Sequence, residues 1–183
     1  MIERERVLIN GTGSALEARV REFLGDDREQ RLIVDVGSGE TPFKDSFGKS
    51  RHVFVDPAIK GEATIGSVVG ARVAAVRAPI EDVAHLMYER ADRVQIIAPD
   101  PDSAEDVVLS SVDMVRKGGR MVVAFDRNSN KRESIPGAAG RVRRVLIKDG
   151  FSVTITEADQ TLVTEERSMF NLGLVVLAVK SKE

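Results

Sequence analysis

The chain has 183 residues, of which 42% are hydrophobic and 31% are charged, with a formal net charge of −2. This length fits a single domain with a sizeable core. The sequence contains no cysteine and two histidines, which excludes a disulfide framework and thiolate chemistry and leaves few ligands for zinc. No apolar run reaches the length of roughly 18 residues that a membrane span needs. The N-terminus lacks the layout of a signal peptide, so we expect a cytoplasmic protein.

An amphipathic helix is predicted near the N-terminus. The residues Ser14-Ala-Leu-Glu17 form a capping-box pattern, apolar residues follow at helical spacing, and Gly25 stands where the helix should stop. Residues 1–30 are therefore predicted to be an N-terminal helical segment.

Five short apolar runs further along the chain predict buried strands. They lack the strict alternation of a half-exposed strand, which is typical of a parallel sheet covered on both faces. The runs are residues 32–36, 52–56, 72–76, 93–98 and 120–125.

Helices are predicted between these strands, and two further strands are predicted after them. Ser103 begins a second capping pattern ahead of a helix that Gly118-Gly119 would end, and a third helix is predicted over residues 138–149. Residues 151–157 and 172–180 are strand-like with no helix between them, so they should pair antiparallel. The predicted fold is α/β: a doubly wound, mostly parallel seven-stranded sheet with helices on both faces and a C-terminal antiparallel β-hairpin.

The first predicted strand ends in a glycine turn, Gly37-Ser-Gly39-Glu-Thr-Pro42, and Asp56 ends the next strand. Glycines let a ligand approach the backbone, and a carboxylate can accept hydrogen bonds from ribose hydroxyls. The pattern therefore indicates a nucleoside site at the carboxyl end of a strand. A dinucleotide site would need a third glycine where Pro42 stands, and the spacing of a P-loop is absent. The turn thus suits a nucleoside cofactor without a pyrophosphate.

In these motifs the chain resembles the Rossmann-like, class I S-adenosylmethionine-dependent methyltransferases. Asp35, Gly37 and Gly39 match the first motif of the family, and Asp56 matches the acidic residue that binds the ribose hydroxyls. The resemblance implies an enzyme with S-adenosylmethionine as cofactor. It also implies a single methyltransferase-like domain over residues 1–183, with a cofactor-binding half at 31–126 and a substrate-side half with the closing hairpin at 127–183.

The resemblance assigns further residues to the cofactor. The implied cofactor-binding residues are Asp35, Gly37, Ser38, Gly39, Asp56, Pro57, Pro79, Ile80, Glu81 and Ala98. Thr41 stands where many members have a third glycine, and Pro79 stands where many have an aspartate that binds adenine. Adenine is therefore expected to be held by backbone amides near Ile80 and by apolar packing. Asp35 has an alternative role, the capping of a local turn.

The loop Pro99-Asp-Pro-Asp102 lies where the family positions the methyl acceptor. The resemblance implies that Asp100 is the catalytic residue that orients the acceptor and that Asp102 contacts the substrate. The Pro-Asp-Pro piece is faintly similar to that of the tRNA guanine-N7 methyltransferases, with Asp102 in place of their Trp. The alternative is a rigid loop in which Asp102 and Ser103 serve the N-terminus of the next helix.

Positive charge is concentrated in one segment. Ten basic and two acidic residues fall between Arg116 and Lys148, a charge of +8 in a chain whose total is −2. A positive rim on an acidic protein indicates a polyanionic partner such as RNA, and Arg127, Lys131 and Arg132 are the candidate phosphate contacts. The alternative interpretation is a solvated helix face.

The leading hypothesis is an S-adenosylmethionine-dependent methyltransferase that acts on a tRNA or rRNA base, with no metal and no membrane partner. A small-molecule acceptor is the second hypothesis, and a catalytically silent, methyltransferase-like binding protein is the third. His52 and His85 are interpreted as structural, and residues 158–171 as a solvated loop.

Overall fold

The apolar runs of the sequence become strands of one sheet in the computed structural model, which describes residues 6–40, 50–163 and 169–182. The strands are β1 (Arg6–Ile9), β2 (Leu32–Val36), β3 (Arg51–Val55), β4 (Val73–Val76), β5 (Ala91–Ile97), β6 (Val115–Asp126), β7 (Phe151–Val163) and β8 (Met169–Lys180). The α-helices are α1 (Gly13–Leu24), α2 (Ala104–Leu109) and α3 (Ile135–Lys148), and short 3-10 helices cover Ile80–Asp82, Ala84–Met87, Val112–Met114 and Arg132–Ser134. No helix in the described ranges is long and apolar enough to cross a membrane.

Within the described residues the sheet has eight strands in the order β1-β4-β3-β2-β5-β6-β8-β7. The strands from β1 to β6 pair in parallel, whereas β8 runs antiparallel between β6 and β7. The predicted α/β fold, mostly parallel with a C-terminal antiparallel hairpin, is confirmed, and β1 adds one strand beside β4. Because β2 lies between β3 and β5, the strand order reverses at β2, and a crevice opens there at the carboxyl ends of the strands.

The N-terminal segment contains β1 as well as the predicted helix. Thr12 is the N-cap of α1, with an extended backbone (φ −142°, ψ 157°) and no capping hydrogen bond from its side chain. The predicted capping box at Ser14 is therefore wrong, since Ser14 already lies in the first turn of α1. The apolar face of α1 is buried through Leu16, Val20, Phe23 and Leu24.

The glycine pair Gly118-Gly119 lies inside β6 and does not end a helix. The pairing of β5 with β6 shifts register between Ala91 and Arg93, and the backbone of Gly119 approaches β5 at this irregularity. A Cβ built on Gly119 would lie 2.9 Å from the carbonyl oxygens of Ala91 and Arg116. The absence of a side chain therefore lets β6 begin at Val115, earlier than residue 120 as predicted.

The closing hairpin and α3 are longer than predicted. The interpretation of residues 158–171 as a loop is wrong, because β7 continues to Val163 and β8 begins at Met169. The connection falls in residues 164–168, outside the described part. The helix α3 begins at Ile135, ahead of residue 138 as predicted, because Pro136 is well placed in a first helical turn.

The three described α-helices pack on one face of the sheet. Val20 of α1, Val108 of α2 and Val142 of α3 are buried in one core with the inward residues of the strands. The opposite face carries smaller clusters, one of which includes Phe54 and Ile59. Helices were also predicted on that second face, but residues 56–72 form a loop that begins there with Ile59 and then reaches the main core with Val68 and Ala71. Residues 41–49 lie outside the described part.

The loop at residues 56–72 is tied to the edge of the sheet. Arg19 of α1 donates a hydrogen bond to the carbonyl oxygen of Thr64 at 2.8 Å. Thr64 in turn bonds Leu8 of β1 twice: the Leu8 N–H donates to Thr64 Oγ1 at 3.0 Å, and the Thr64 N–H donates to the Leu8 carbonyl at 2.9 Å. These hydrogen bonds hold the loop in place without a helix. They also give partners to the outward-facing N–H and C=O of Leu8 in the edge strand β1.

Two glycine-to-alanine substitutions test the packing of β6 against a matched control. Gly119→Ala should lower the free energy of unfolding by about 1–3 kcal/mol, because the new Cβ overlaps two backbone oxygens. Gly140→Ala, in the interior of α3 with no atom within 4 Å of its Cβ position, should raise it by roughly 0.5–1 kcal/mol. Urea unfolding measures both. A Gly119→Ala protein as stable as wild type would contradict the close approach.

Candidate functional site

The glycine turn after β2 combines left-handed backbone with open space. Gly37 and Gly39 have φ values of 71° and 74°, which L side chains rarely adopt. The Gly37 N–H donates to the carbonyl of Val55 at 2.9 Å, and apart from the chain neighbours no atom of the described residues lies within 4 Å of a Cβ built on either glycine. The turn therefore leaves room for a ligand against the backbone. Thr41 and Pro42 lie outside the described residues.

Asp56 joins the end of β3 to this turn. Its Oδ2 accepts a hydrogen bond from the Gly39 N–H at 2.8 Å, and its Oδ1 accepts one from the Ala58 N–H at 2.7 Å. The residue is half-buried, and Pro57 beside it is exposed. Since each carboxylate oxygen can accept two hydrogen bonds, both oxygens keep capacity for ligand hydroxyls.

The turn also contains a buried polar group, the side chain of Ser38. Ser38 lies between the two glycines, and its Oγ has no hydrogen-bond partner among the described residues. Buried polar atoms are nearly always hydrogen-bonded, so this oxygen is suited to a ligand. Together with the open space above the glycines and the Asp56 carboxylate, it fits a nucleoside with a polar tail. Among the described residues no group of three His, Cys, Asp or Glu side chains could hold a metal ion.

Asp35 is engaged within the sheet. It is 2% exposed in β2, and its Oδ2 contacts Nε2 of His52 in β3. His52 is level with Ile33, nearer the amino ends of the strands, and its ring stacks on Phe54 with 4.4 Å between centroids. The contact of Asp35 with a cofactor stays a prediction, and the structure gives its carboxylate a role in joining β2 to β3.

The predicted adenine loop follows β4. Pro79 has an extended backbone and precedes the 3-10 helix that starts at Ile80. The Ile80 side chain is buried in the main core, while exposed Glu81 accepts a hydrogen bond from the Ser110 hydroxyl at 3.3 Å. Any contact of Ile80 with a ligand would therefore come from its backbone, and adenine binding at this loop stays a prediction.

Backbone strain marks the end of β5. Ala98 has a φ of 52°, a region that costs a residue with a Cβ about 1–2 kcal/mol. Its N–H donates to the carbonyl of Ala124 at 2.7 Å, which extends the β5–β6 pairing to the start of the loop at residues 99–102. We call this loop the acceptor loop. Residues held in such conformations cluster at functional sites. Ala98 thus sets the direction in which the chain enters the loop that carries Asp100.

Lys131 holds the acceptor loop through hydrogen bonds to Asp100 and Asp102, and we call this contact the Lys131 clamp. Its Nζ donates to both carboxylate oxygens of Asp100, at 3.0 and 2.9 Å, and to Oδ2 of Asp102 at 2.6 Å. These hydrogen bonds, first from Lys131 and then from the Asp102 amide, lower the pKa of Asp100 below its ordinary value. The same contacts, led by Asp102, raise the pKa of Lys131. Lys131, a candidate phosphate contact, is therefore already paired with two carboxylates.

Arg127 and Arg132, which lie on either side of Lys131 in the sequence, line a surface cavity of about 360 Å³. Arg127 also donates to the carbonyl of Ala158 at 2.8 Å. Glu157 of β7 supplies an acidic group, and Ile135, Pro136 and Leu174 supply apolar walls. The cavity can therefore hold a ligand with an anionic group and an apolar body.

The carboxyl ends of the strands bring most of the predicted residues to one edge. Asp56, Ala98 and Asp100 follow three different strands, and the two cavity arginines follow β6. Sequence reasoning missed Glu157 and Leu174, which come from the hairpin, and the Lys131 clamp. The adjacency of β5 and β6 was a usable signal for the clamp, because it places the loops that follow these two strands side by side.

The clamp makes a prediction for the titration of Asp100. A carboxyl whose pKa is lowered in the folded state contributes stability above its unfolded pKa, and this contribution is lost as pH falls through the folded pKa. NMR titration should give Asp100 a midpoint below its ordinary value of 3.8, and Lys131→Met should raise that midpoint. Lys148→Met, at the far end of α3, should leave it unchanged. An Asp100 midpoint unaffected by Lys131→Met would show that the clamp does not form.

The fold is similar to solved methyltransferases at low identity. A 16S rRNA (adenine(1408)-N(1))-methyltransferase from Catenulisporales acidiphilia with SAM matches with a TM-score of 0.56 and 14% identity over 90% of this chain and 91% of that one. The antibiotic-resistance methyltransferase Kmr matches with a TM-score of 0.53 and 13% identity, over 90% of this chain and 93% of that one. The O-methyltransferase TomG from Streptomyces achromogenes with SAM matches with a TM-score of 0.50 and 14% identity, over 93% of this chain and 82% of that one.

The sequence matches no protein-family model and no curated protein. The similarity to tRNA guanine-N7 methyltransferases stays a prediction. The strand order, the glycine turn after β2 and the solved structures agree, so the resemblance found in the sequence is confirmed at the level of the fold. This chain has the fold of the class I, Rossmann-like S-adenosylmethionine-dependent methyltransferases.

Proposed function

We propose that this protein is an S-adenosylmethionine-dependent methyltransferase that modifies RNA. The observation that carries the proposal is the bond between the Asp56 carboxylate and the Gly39 amide, beside open space above two left-handed glycines. It lies at the point where the strand order reverses, which is where α/β sheets bind their ligands.

The residues at the crevice have distinct tasks in binding the cofactor. Asp56 would accept hydrogen bonds from the ribose hydroxyls, and Ser38 Oγ would bond the polar tail. Gly37 and Gly39 would let that tail approach the backbone. When bound, the cofactor supplies an electrophilic methyl group on a sulfonium.

The acceptor loop would orient the substrate. Because hydrogen bonds lower the pKa of Asp100, its carboxylate is a weak base and is better suited to accept a hydrogen bond from an amine or hydroxyl than to remove its proton. Lys131 holds that carboxylate in place. The loop therefore contributes to methyl transfer by positioning, which is the main requirement of an in-line displacement.

RNA as the acceptor is supported by charge and by similarity. Arg127 and Arg132 follow the carboxyl end of β6 and line one cavity, and guanidinium groups match phosphate geometry. One of the structural relatives modifies 16S rRNA. A small molecule is the second candidate, favoured by a cavity of about 360 Å³ with apolar walls and by similarity to TomG.

Asp56→Ala tests the cofactor site. Loss of hydrogen bonds to a charged acceptor costs about 1.5–3 kcal/mol, so the affinity for S-adenosylmethionine in calorimetry should fall roughly tenfold to a hundredfold. Asp113→Ala, an exposed carboxylate ahead of β6, is the control and should bind normally. A folded wild-type protein, freed of bound cofactor, that gives no binding heat would refute the proposed function.

Arg127→Gln with Arg132→Gln tests the acceptor. With a labelled methyl group on the cofactor, wild type should label bulk tRNA or rRNA, and the double variant should raise KM for RNA about tenfold or more with a smaller change in kcat. Label in small phenols or amines but not in RNA would favour the second candidate. Cofactor binding without transfer to any acceptor would indicate a silent binding protein.

A further inference from the structure

Four arginines converge at the opposite end of the sheet from the glycine turn. Arg31 precedes β2, Arg93 lies in β5, and Arg116 and Arg120 lie in β6, all near the amino ends of the parallel strands. Together they line a surface cavity of about 280 Å³, which also includes Asp92. The residues come from distant parts of the sequence, so a count of charge along the chain does not show this cluster.

The strand register forces two of these charges together. Arg93 pairs with Arg120 across β5 and β6, so both side chains stand on the same face of the sheet, on neighbouring strands. This is the face opposite the α-helices, since the adjacent residues Val94 and Met121 are buried in the main core. Like charges in directly paired positions destabilise a sheet unless an anion lies between them.

The carboxylate of the cavity does not neutralise them. Asp92 Oδ1 is paired with Arg116, and its Oδ2 accepts a hydrogen bond from the Leu32 N–H at 2.9 Å. Among the described residues no carboxylate forms an ion pair with Arg31, Arg93 or Arg120, and all three are exposed. Within the described part of the chain, three guanidinium groups therefore share one cavity without a carboxylate partner, and each presents a fork of donors that suits a phosphate.

We propose that this cluster, Arg31, Arg93, Arg116 and Arg120, is a phosphate-binding site for the backbone of the RNA substrate. It rests on the proposed function and extends it to a second contact region. Arg31 is six residues from Gly37, so the site lies about 20 Å from the crevice at roughly 3.3 Å per strand residue. A folded RNA can span that distance, whereas one small acceptor cannot reach both places.

The lining favours a backbone phosphate over a free nucleotide. Among the described residues that line the cavity, Ile33 is the one large apolar side chain, and the remaining lining is charged, Ser50 or glycine. A small-molecule site usually buries most of its ligand against apolar and aromatic groups. Exposed arginines without such walls hold phosphates by charge, and they give no readout of the base.

Salt dependence of RNA binding tests the site. Arg93→Gln with Arg120→Gln should lower the affinity for labelled bulk tRNA at least about tenfold at low salt. The magnitude of the slope of log affinity against log salt should fall by roughly 1.5, because two phosphate contacts are lost and each contributes about 0.7–0.9 to that slope. Arg143→Gln with Arg144→Gln is the control: it removes the same charge from exposed positions on α3, across the sheet, and should reduce the slope less.

The outcomes separate this site from the proposed function. Binding of S-adenosylmethionine is measured on the same variants and should be unchanged. Circular dichroism of each variant shows that it is folded before its RNA affinity is compared with that of wild type. If wild type binds tRNA and Arg93→Gln with Arg120→Gln leaves affinity and slope unchanged, the site is refuted while the methyltransferase proposal stands. Tight binding of inorganic phosphate or AMP at this cavity, with tRNA binding unaffected, would also refute it. A wild type that binds no RNA refutes both this site and RNA as the acceptor, whereas the cofactor part of the proposed function is tested separately by calorimetry.

Discussion

The position of β2 between β3 and β5 is the constraint on which the site depends. The chain leaves β2 toward one side of the sheet, and β5 occupies the other side, so the loops that follow these strands diverge and leave a crevice. The glycine turn, Asp56 and the loop after Ala98 all border that crevice because each follows the carboxyl end of a parallel strand. Left-handed backbone at Gly37, Gly39 and Ala98 shows where the chain departs from regular geometry to shape it.

The sequence predicts the central strands well because they are short, continuous apolar runs, and such runs stay buried whatever surrounds them. It predicts the glycine turn and Asp56 for the same reason, since both directly follow a recognisable strand. The strand β1 was missed because only three of its residues, Val7 to Ile9, form an apolar run. Gly118-Gly119 was misinterpreted because a glycine pair is equally compatible with the end of a helix and with a close approach of two strands, and tertiary contacts decide between them.

Charge is where sequence and structure differ most. Lys131 belongs to the basic segment, yet two carboxylates from the loop after β5 neutralise it. Arg31 and Arg93 lie outside that segment, yet the sheet brings them beside Arg116 and Arg120. A count of charge along the chain shows neither result, because both depend on which strands are neighbours. The electrostatic surface is thus set by strand order as much as by composition.

The outer side of β1 has a consequence for behaviour in concentrated solution. A parallel strand at the edge of a sheet presents unpaired N–H and C=O groups, which can recruit a strand from another molecule and begin aggregation. At Leu8 both groups are already bonded to Thr64 of the neighbouring loop. A hydroxyl and one amide therefore block the centre of this four-residue edge. The loop that replaces a covering helix thus also guards the molecule against edge-to-edge self-association.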